Sequence, residues 1–352
     1  MMEKQVERAR EIVTSYTGPK LRSMEVCGTH THEIFRLGIR GLLPPQVDLI
    51  SGPGCPVCVT AIDFIDEAVF LALERGAVIC TFGDLIRVPG TEMSLAGARA
   101  KGGKIQPVYS QVDAVKYAKE HPEEQVVFLS VGFETTTPGA CLAVKQAARE
   151  GVENFSLLTA NKTMPNAYAA LKGSADAFLY PGHVHAIIGT AVCEALVDQG
   201  VSGVMTGFTT GELLTALAVT LRLSEEGRPF FRNCYPRVVR PEGNVPAQRL
   251  VAEVMEPCDA EWRGLGLIPA SGMKLRREFE AFDARVRYQV PKITGRGNPA
   301  CRCGEVLRGL CRPSDCKMFG TGCTPEHPVG ACMVSSEGAC AAYYQYGGNE
   351  NG

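Results

Sequence analysis

From about residue 46 to residue 222, short runs rich in β-branched residues alternate with stretches whose apolar positions recur at helical spacing. A strand buried on both faces reads as a continuous apolar run and its covering helix as an amphipathic stripe, so the alternation is that of parallel βαβ units. It predicts strands at residues 47–51, 77–82, 125–131, 155–160, 177–180 and 203–206. Helix signals flank them. Thr137-Pro138 offers a capping Thr followed by Pro at the first helical position, and Gly76 and Gly200 stand where C-terminal caps belong. Ahead of this block, residues 1–17 alternate charged and apolar positions as an amphipathic helix does. Behind it, around residues 227–244, the periodicity is lost; Pro229, Pro236, Pro241 and Gly243 mark a linker into a mixed helical segment at 245–256.

Most of the strand runs give way to short polar motifs. The run at 47–51 leads into Gly-Pro-Gly-Cys-Pro-Val-Cys, 77–82 into Gly83-Asp84, 125–131 into Gly-Phe-Glu-Thr-Thr-Thr-Pro, and 177–180 into Pro-Gly-His-Val-His. Open parallel sheets bind ligands in the crevice at the carboxyl ends of their strands, so these motifs share the functional edge. Gly132-Phe133-Glu134-Thr135-Thr136 and Gly207-Phe208-Thr209-Thr210 form a faint internal repeat, short enough to arise by chance.

Composition narrows the class. A chain of 352 residues divides on ordinary domain sizes into two or three domains. Its 36 Lys and Arg against 38 Asp and Glu leave a net charge of -2, so no basic field is available for a phosphate backbone, and nucleic acid is not expected as a partner. No stretch approaches the roughly 20 apolar residues of a bilayer span, and a cytoplasmic protein without a membrane partner is expected. Fifteen cysteines, an odd number, argue for metal or redox chemistry over a disulfide framework. Seven of them (Cys301, Cys303, Cys311, Cys316, Cys323, Cys332 and Cys340) fall in one C-terminal segment with little apolar sequence.

Three constellations carry chemistry. Cys55-Pro56-Val57-Cys58 lies between a strand and a helix, where the free N–H groups of a helix N-terminus favour thiolate; redox exchange is the first reading and structural zinc the second. Cys27-Gly28-Thr29-His30-Thr31-His32 sets a soft thiolate beside two imidazoles, a soft-metal ligand with His30 and His32 as supporting donors or proton acceptors, or else a buried Cys with two surface His. The tail spacing of Cys303, Cys316, Cys323, Cys332 and Cys340 supplies the four thiolates of a cubane cluster with one to spare. Cys316, Cys323 and Cys340 come first, Cys303 and Cys332 contest the fourth place, and Cys301 and Cys311 are extra. Zinc is the alternative, but two-residue knuckle spacings are missing. Metal–thiolate bonds would replace the core this segment lacks.

Among weaker motifs, Asp84, Glu134, Thr135, Thr136 and His183 are expected in the crevice, with Glu134 or His183 moving protons and His185 left out. Capping and turn chemistry would account for the Thr residues as well. Cys80, Cys141, Cys193, Cys234 and Cys258 are expected to be inert, and neither G-x-G-x-x-G nor a Walker motif is present.

Read in order, the motifs Met24-Glu25-Val26-Cys27-Gly28-Thr29-His30-Thr31-His32, Gly52-Pro53-Gly54-Cys55-Pro56-Val57-Cys58, Thr81-Phe82-Gly83-Asp84, Val131-Gly132-Phe133-Glu134-Thr135-Thr136, Pro181-Gly182-His183-Val184 and Cys332-Met333-Val334-Ser335-Ser336-Glu337-Gly338-Ala339-Cys340 closely resemble the HypD family of hydrogenase maturation factors over nearly the whole chain. The resemblance implies a scaffold for the Fe(CN)2CO group of a nickel-iron hydrogenase. Cys27 would ligate the iron, Cys55 and Cys58 would be a redox-active dithiol, and tail cysteines would hold a [4Fe-4S] cluster. Implied partners are a small HypC-type chaperone, a HypE-type cyanide donor carrying a thiocyanate, and the hydrogenase large subunit. The expected fold is α/β: two doubly wound parallel-sheet domains facing a cleft, at 25–150 and 151–228, plus a C-terminal cysteine-rich domain holding the cluster, built from 1–24 and 229–352. Such a protein is an assembly scaffold with thiol-disulfide activity rather than a turnover enzyme on a free small substrate. An iron-sulfur-dependent protein disulfide reductase is the competing reading, and a zinc-stabilised interaction module ranks last.

Overall fold

A computed structural model describes residues 2–347. The chain is α/β, with two wholly parallel sheets and one antiparallel hairpin. It begins with a helix, Met2–Thr14, and then lays down β1 (Leu21–Glu25) and β2 (Val47–Ser51). Next comes an entire second sheet: β3 (Val78–Thr81), β4 (Ile105–Pro107), β5 (Val126–Ser130) and β6 (Phe155–Thr159). Only afterwards does the chain return to the first sheet with β7 (Ala177–Pro181), β8 (Gly203–Thr206) and β9 (Phe231–Asn233). The strand orders are β2-β1-β7-β8-β9 and β4-β3-β5-β6.

Sheet membership therefore does not follow the division expected at residue 150. β1 pairs in parallel with β7, setting Ser23 opposite Ala177 and Glu25 opposite Leu179, so the second sheet is inserted into the first. Pairing across such a distance leaves no local trace in sequence. β1 itself was not foreseen, because Leu-Arg-Ser-Met-Glu carries two charges; a neighbour on each side, not apolar content, makes it a strand.

Alternation along the strands builds a core on each face of the first sheet. Leu49, Leu179 and Val204 point to one side with Val13 and Leu217, while Ile50, Phe178, Tyr180 and Met205 point to the other. The second sheet is covered on both faces as well, by Val78, Val126 and Phe128 on one and Ile79, Val127 and Leu129 on the other. Each β5 residue is buried, as a central parallel strand requires.

The segment expected to be helical at 245–256 ends as a helix at Val254, and Met255 opens β10 (Met255–Trp262), which pairs with β11 (Gly266–Leu275) around a bulge at Cys258. This hairpin ties the carboxyl edges of both sheets. Thr60 bridges Trp262, Lys162 bridges Gly272, and Thr163 N donates to Ser271 O at 2.8 Å. Beyond the hairpin the tail has only short helices, the last being Ala339–Tyr346, whose Tyr343 meets Phe35 edge to face at 5.5 Å. No helix among the described residues is long and apolar enough to cross a membrane.

Candidate functional site: a run of buried thiols at the sheet edge

Cys27 comes just after β1 and holds an extended conformation (φ -151°, ψ 127°) as the residue capping the helix Gly28–Arg36. Beneath it, the buried Glu25 carboxylate accepts from Thr31 Oγ1 at 2.9 Å and Ser51 Oγ at 3.0 Å and pairs with Arg40. This network fixes the ends of β1 and β2 together. Gly28 N donates to Gly54 O at 2.8 Å, and a Cβ at Gly54 would lie 2.1 Å from Cys27 N, so only glycine lets the two turns touch. A Cβ at Gly28 would lie 2.7 Å from Glu337 Cβ and 3.1 Å from Cys55 Cβ. The Cys27 turn, the dithiol turn and the C-terminal segment thus meet at one point.

Burial pushes the Cys27 thiol up to about 12, and the Glu337 carboxylate adds to the rise against hydrogen bonds from His30 and Thr29. Such a thiol stays protonated until a cation displaces the proton. His30 is fully buried; Nε2 lies 3.0 Å from Gly207 O, which makes Nε2 the protonated donor, and Nδ1 has no hydrogen-bond partner. Burial pulls its pKa down to about 4, so the ring is neutral. Phe208 stacks between His30, at 4.6 Å, and the exposed His183, at 4.0 Å. His32 stands on the outer side of the helix, with Nδ1 3.0 Å from Ser336 O. Glu337 was not singled out from sequence; its Oε1 accepts from Thr29 Oγ1 at 2.7 Å, and its charge reaches both Cys27 and His183.

Cys55 caps the one-turn helix Pro56–Val59, its sulfur accepting from Cys58 N at 3.3 Å. The helix terminus was expected to lower the thiol pKa. At Cys58 the reverse holds: complete burial drives the thiol well above its ordinary value, outweighing a single helical turn. Cys58 also touches Cys332, and its sulfur lies 3.9 Å from Ala331 O. Cys332 Sγ in turn lies 2.6 Å from Cys303 Sγ, and Cys303 contacts Cys301. Sulfur succeeds sulfur from the dithiol into the tail.

Six thiols, those of Cys301, Cys303, Cys316, Cys323, Cys332 and Cys340, line one tight cavity walled otherwise by Arg302, Val306, Met318, Phe319, Gly330 and Met333. Cys301, treated as extra on spacing, belongs to this set; Cys311 lies apart, in a groove with Ile50 and Arg312. Zinc draws four ligands to about 2.0–2.3 Å of one point. Among the described residues no three His, Cys, Asp or Glu are already drawn together as ligands of a metal ion; what the tail offers is six thiols lining one cavity. That donor set fits a multi-iron cluster.

Glu134 sits in the turn after β5, its Oε1 accepting from Met164 N at 2.8 Å and its Oε2 buried without a partner. Burial raises it to about 7. Thr135 beside it is exposed, as is Asp84 on the turn Gly83–Arg87. His185 is a satisfied core residue, with Nδ1 2.8 Å from Gly189 O and Nε2 3.2 Å from Tyr168 Oη.

The family model described as "Hydrogenase formation hypA family", HypD, matches residues 1–347. The chain is 45% identical over 343 residues to the "Hydrogenase maturation factor HypD" of Cupriavidus necator, covering 94% of this chain and 90% of that one. It is 44% identical over 338 residues to the protein of the same name from Azotobacter vinelandii, 93% and 89% covered, and 43% identical over 349 residues to that of Escherichia coli K12, 97% and 92% covered.

Proposed function

Since this chain belongs to the HypD family of hydrogenase maturation factors, we propose that it is the scaffold on which the Fe(CN)2CO group of a nickel-iron hydrogenase is assembled. The iron and its ligands are cargo, gripped by Cys27 together with a HypC-type chaperone and passed on to the hydrogenase large subunit. The observation that carries this reading is the contact of the Cys27 turn with the dithiol turn through Gly54. A thiolate that binds low-spin iron and a thiol pair that supplies electrons are useful only side by side.

Each residue of the site has its own part. Binding of the iron displaces the Cys27 proton, and the resulting thiolate is held by N–H groups of the helix it caps. His30 stays neutral, with a buried Nδ1 lone pair that no protein group engages. Glu337, anchored by Thr29, and His183 are placed to hold or release protons near the cargo. Cyanide arrives as a thiocyanate on a HypE-type donor, and its release consumes two electrons. Cys55 and Cys58 supply them by closing a disulfide: the donor sulfur regains a proton, cyanide passes to the iron, and the second thiol proton leaves.

The contact of Cys58 with Cys332 and the 2.6 Å approach of Cys332 to Cys303 support a second dithiol, which re-reduces the first by exchange. Cys303 and Cys332 then leave the contest for a cluster place. Cys301, Cys316, Cys323 and Cys340 would hold a [4Fe-4S] cluster, which when bound supplies single electrons at low potential.

An iron-sulfur-dependent disulfide reductase would use the same sulfur run but give Cys27 no part. Infrared spectroscopy of protein copurified anaerobically with its small chaperone separates the two: bands of iron-bound carbon monoxide and cyanide support the scaffold, and their absence from a fully iron-loaded complex refutes it.

A further inference from the structure

A partly buried guanidinium sits beside the thiol run with no carboxylate paired to it among the described residues. Arg263 occupies the tip of the hairpin between β10 and β11. Its backbone N–H donates to Val59 O at 2.9 Å and its Nε to Thr60 O at 2.8 Å, which pins it to the segment just after Cys58. The tip also seats on the tail: Gly264 has φ +85°, and a Cβ there would lie 2.6 Å from Gly304 Cα, next to Cys303. Arg263 lines an open cleft together with Cys301, Cys303 and Gly330, and its charge acts on Cys301; the one carboxylate lining that cleft, Glu92, pairs with Arg296 instead. Its Nη2 is buried with no hydrogen-bond partner, and among the described residues no carboxylate pairs with it. Arg302, the guanidinium on the neighbouring tail cavity, is by contrast neutralised by Glu305 at 2.6 Å.

A guanidinium partly withdrawn from water, with one buried nitrogen unpaired, is stabilised by a nearby negative charge. Cysteine thiolates bearing an iron-sulfur centre carry net negative charge, and reduction adds one electron and one further unit of it. We propose that Arg263 is a positioning residue whose fixed charge favours the reduced form of the centre held by Cys301 and its partners, raising its reduction potential. The proposal rests on the functional reading that the tail cysteines hold such a centre. It also explains why the arginine is tied to Val59 and Thr60: the same contact that docks the dithiol helix on the tail sets the charge beside the electron carrier.

The test is an electron-paramagnetic-resonance-monitored redox titration of anaerobically purified full-length protein, wild type against Arg263→Gln and Arg263→Lys. Gln removes the charge; Lys keeps it and loses the planar Nε bond to Thr60. The expected result is an equilibrium constant for reduction about tenfold lower in Arg263→Gln, ~59 mV for one electron, with Arg263→Lys close to wild type. Equal shifts in both variants, no shift in either, a larger shift in Lys than in Gln, or failure of Arg263→Gln to retain iron would each overturn it. A wild-type protein with no iron or sulfide would instead sink the functional reading itself.

Discussion

Replacing Gly54 by Ala puts a methyl group where the structure has backbone. The added carbon would sit 2.1 Å from Cys27 N, 2.2 Å from Cys27 Cα and 2.5 Å from Cys27 C. None of these is the movable end of a side chain, so the two turns must separate by more than about 1 Å before ordinary contact at 3.4 Å is reached. Overpacking of this kind costs about 1–3 kcal/mol. Separation also breaks the Gly28 N to Gly54 O bond at 2.8 Å, worth about 1 kcal/mol. Urea denaturation should therefore show Gly54→Ala destabilised by about 2–4 kcal/mol. The functional loss should be larger than the stability loss implies, because a displacement of ~1 Å at a reacting centre can cost ~100-fold in rate. Gly41 is the control, since a Cβ there meets nothing within 4 Å. Iron-bound carbon monoxide and cyanide bands, measured at a temperature where both variants are folded, should be lost in Gly54→Ala and kept in Gly41→Ala. A stable Gly54→Ala with full bands would refute the claim that the two turns must touch.

Two further outcomes are expected. Glu134 is raised to about 7 by burial, so its folded pKa lies above the unfolded one near 4.5; its ionisation opposes folding as pH climbs through that window, by about 3 kcal/mol at most. Glu134→Gln should flatten the loss of stability between about pH 4.5 and pH 7, and an unchanged pH profile in urea melts would count against the burial argument. In a cysteine-to-serine series, iron and acid-labile sulfide should fall in the variants at Cys301, Cys316, Cys323 and Cys340, and stay near wild type at Cys303, Cys332 and Cys311; loss of the cluster at Cys332 with retention at Cys301 would reverse the assignment.

Much of the fold was legible in the chain. Strand and helix alternation pointed to parallel βαβ units and located six of the nine strands of the two parallel sheets, missing β1, β4 and β9, and the polar motifs at strand ends lie at the carboxyl edge, where βαβ geometry directs them. The rest depends on contacts between distant segments. Nothing in Leu21–Glu25 says that β7 will be its partner, and an inserted sheet looks in sequence like a continuation. The hairpin was missed because its strands succeed an amphipathic helix without a break, with Val254 and Met255 both buried. Glu337 and Arg263 carry no signal of their own, being ordinary charged residues until folding sets one against Cys27 and the other against Cys301. Cys301 had no separate signal either: it shares the apolar-poor segment with Cys311, and only folding puts the one among the thiols of the tail cavity and leaves the other apart.

The central claim is that the Cys27 sulfur holds a low-spin iron beside the dithiol, and ⁵⁷Fe Mössbauer spectroscopy of the anaerobic complex tests it most directly. Wild-type protein should show a diamagnetic low-spin iron in addition to the cluster signal. Cys27→Ala should lose the first and keep the second, and a low-spin signal that survives in Cys27→Ala would contradict the account.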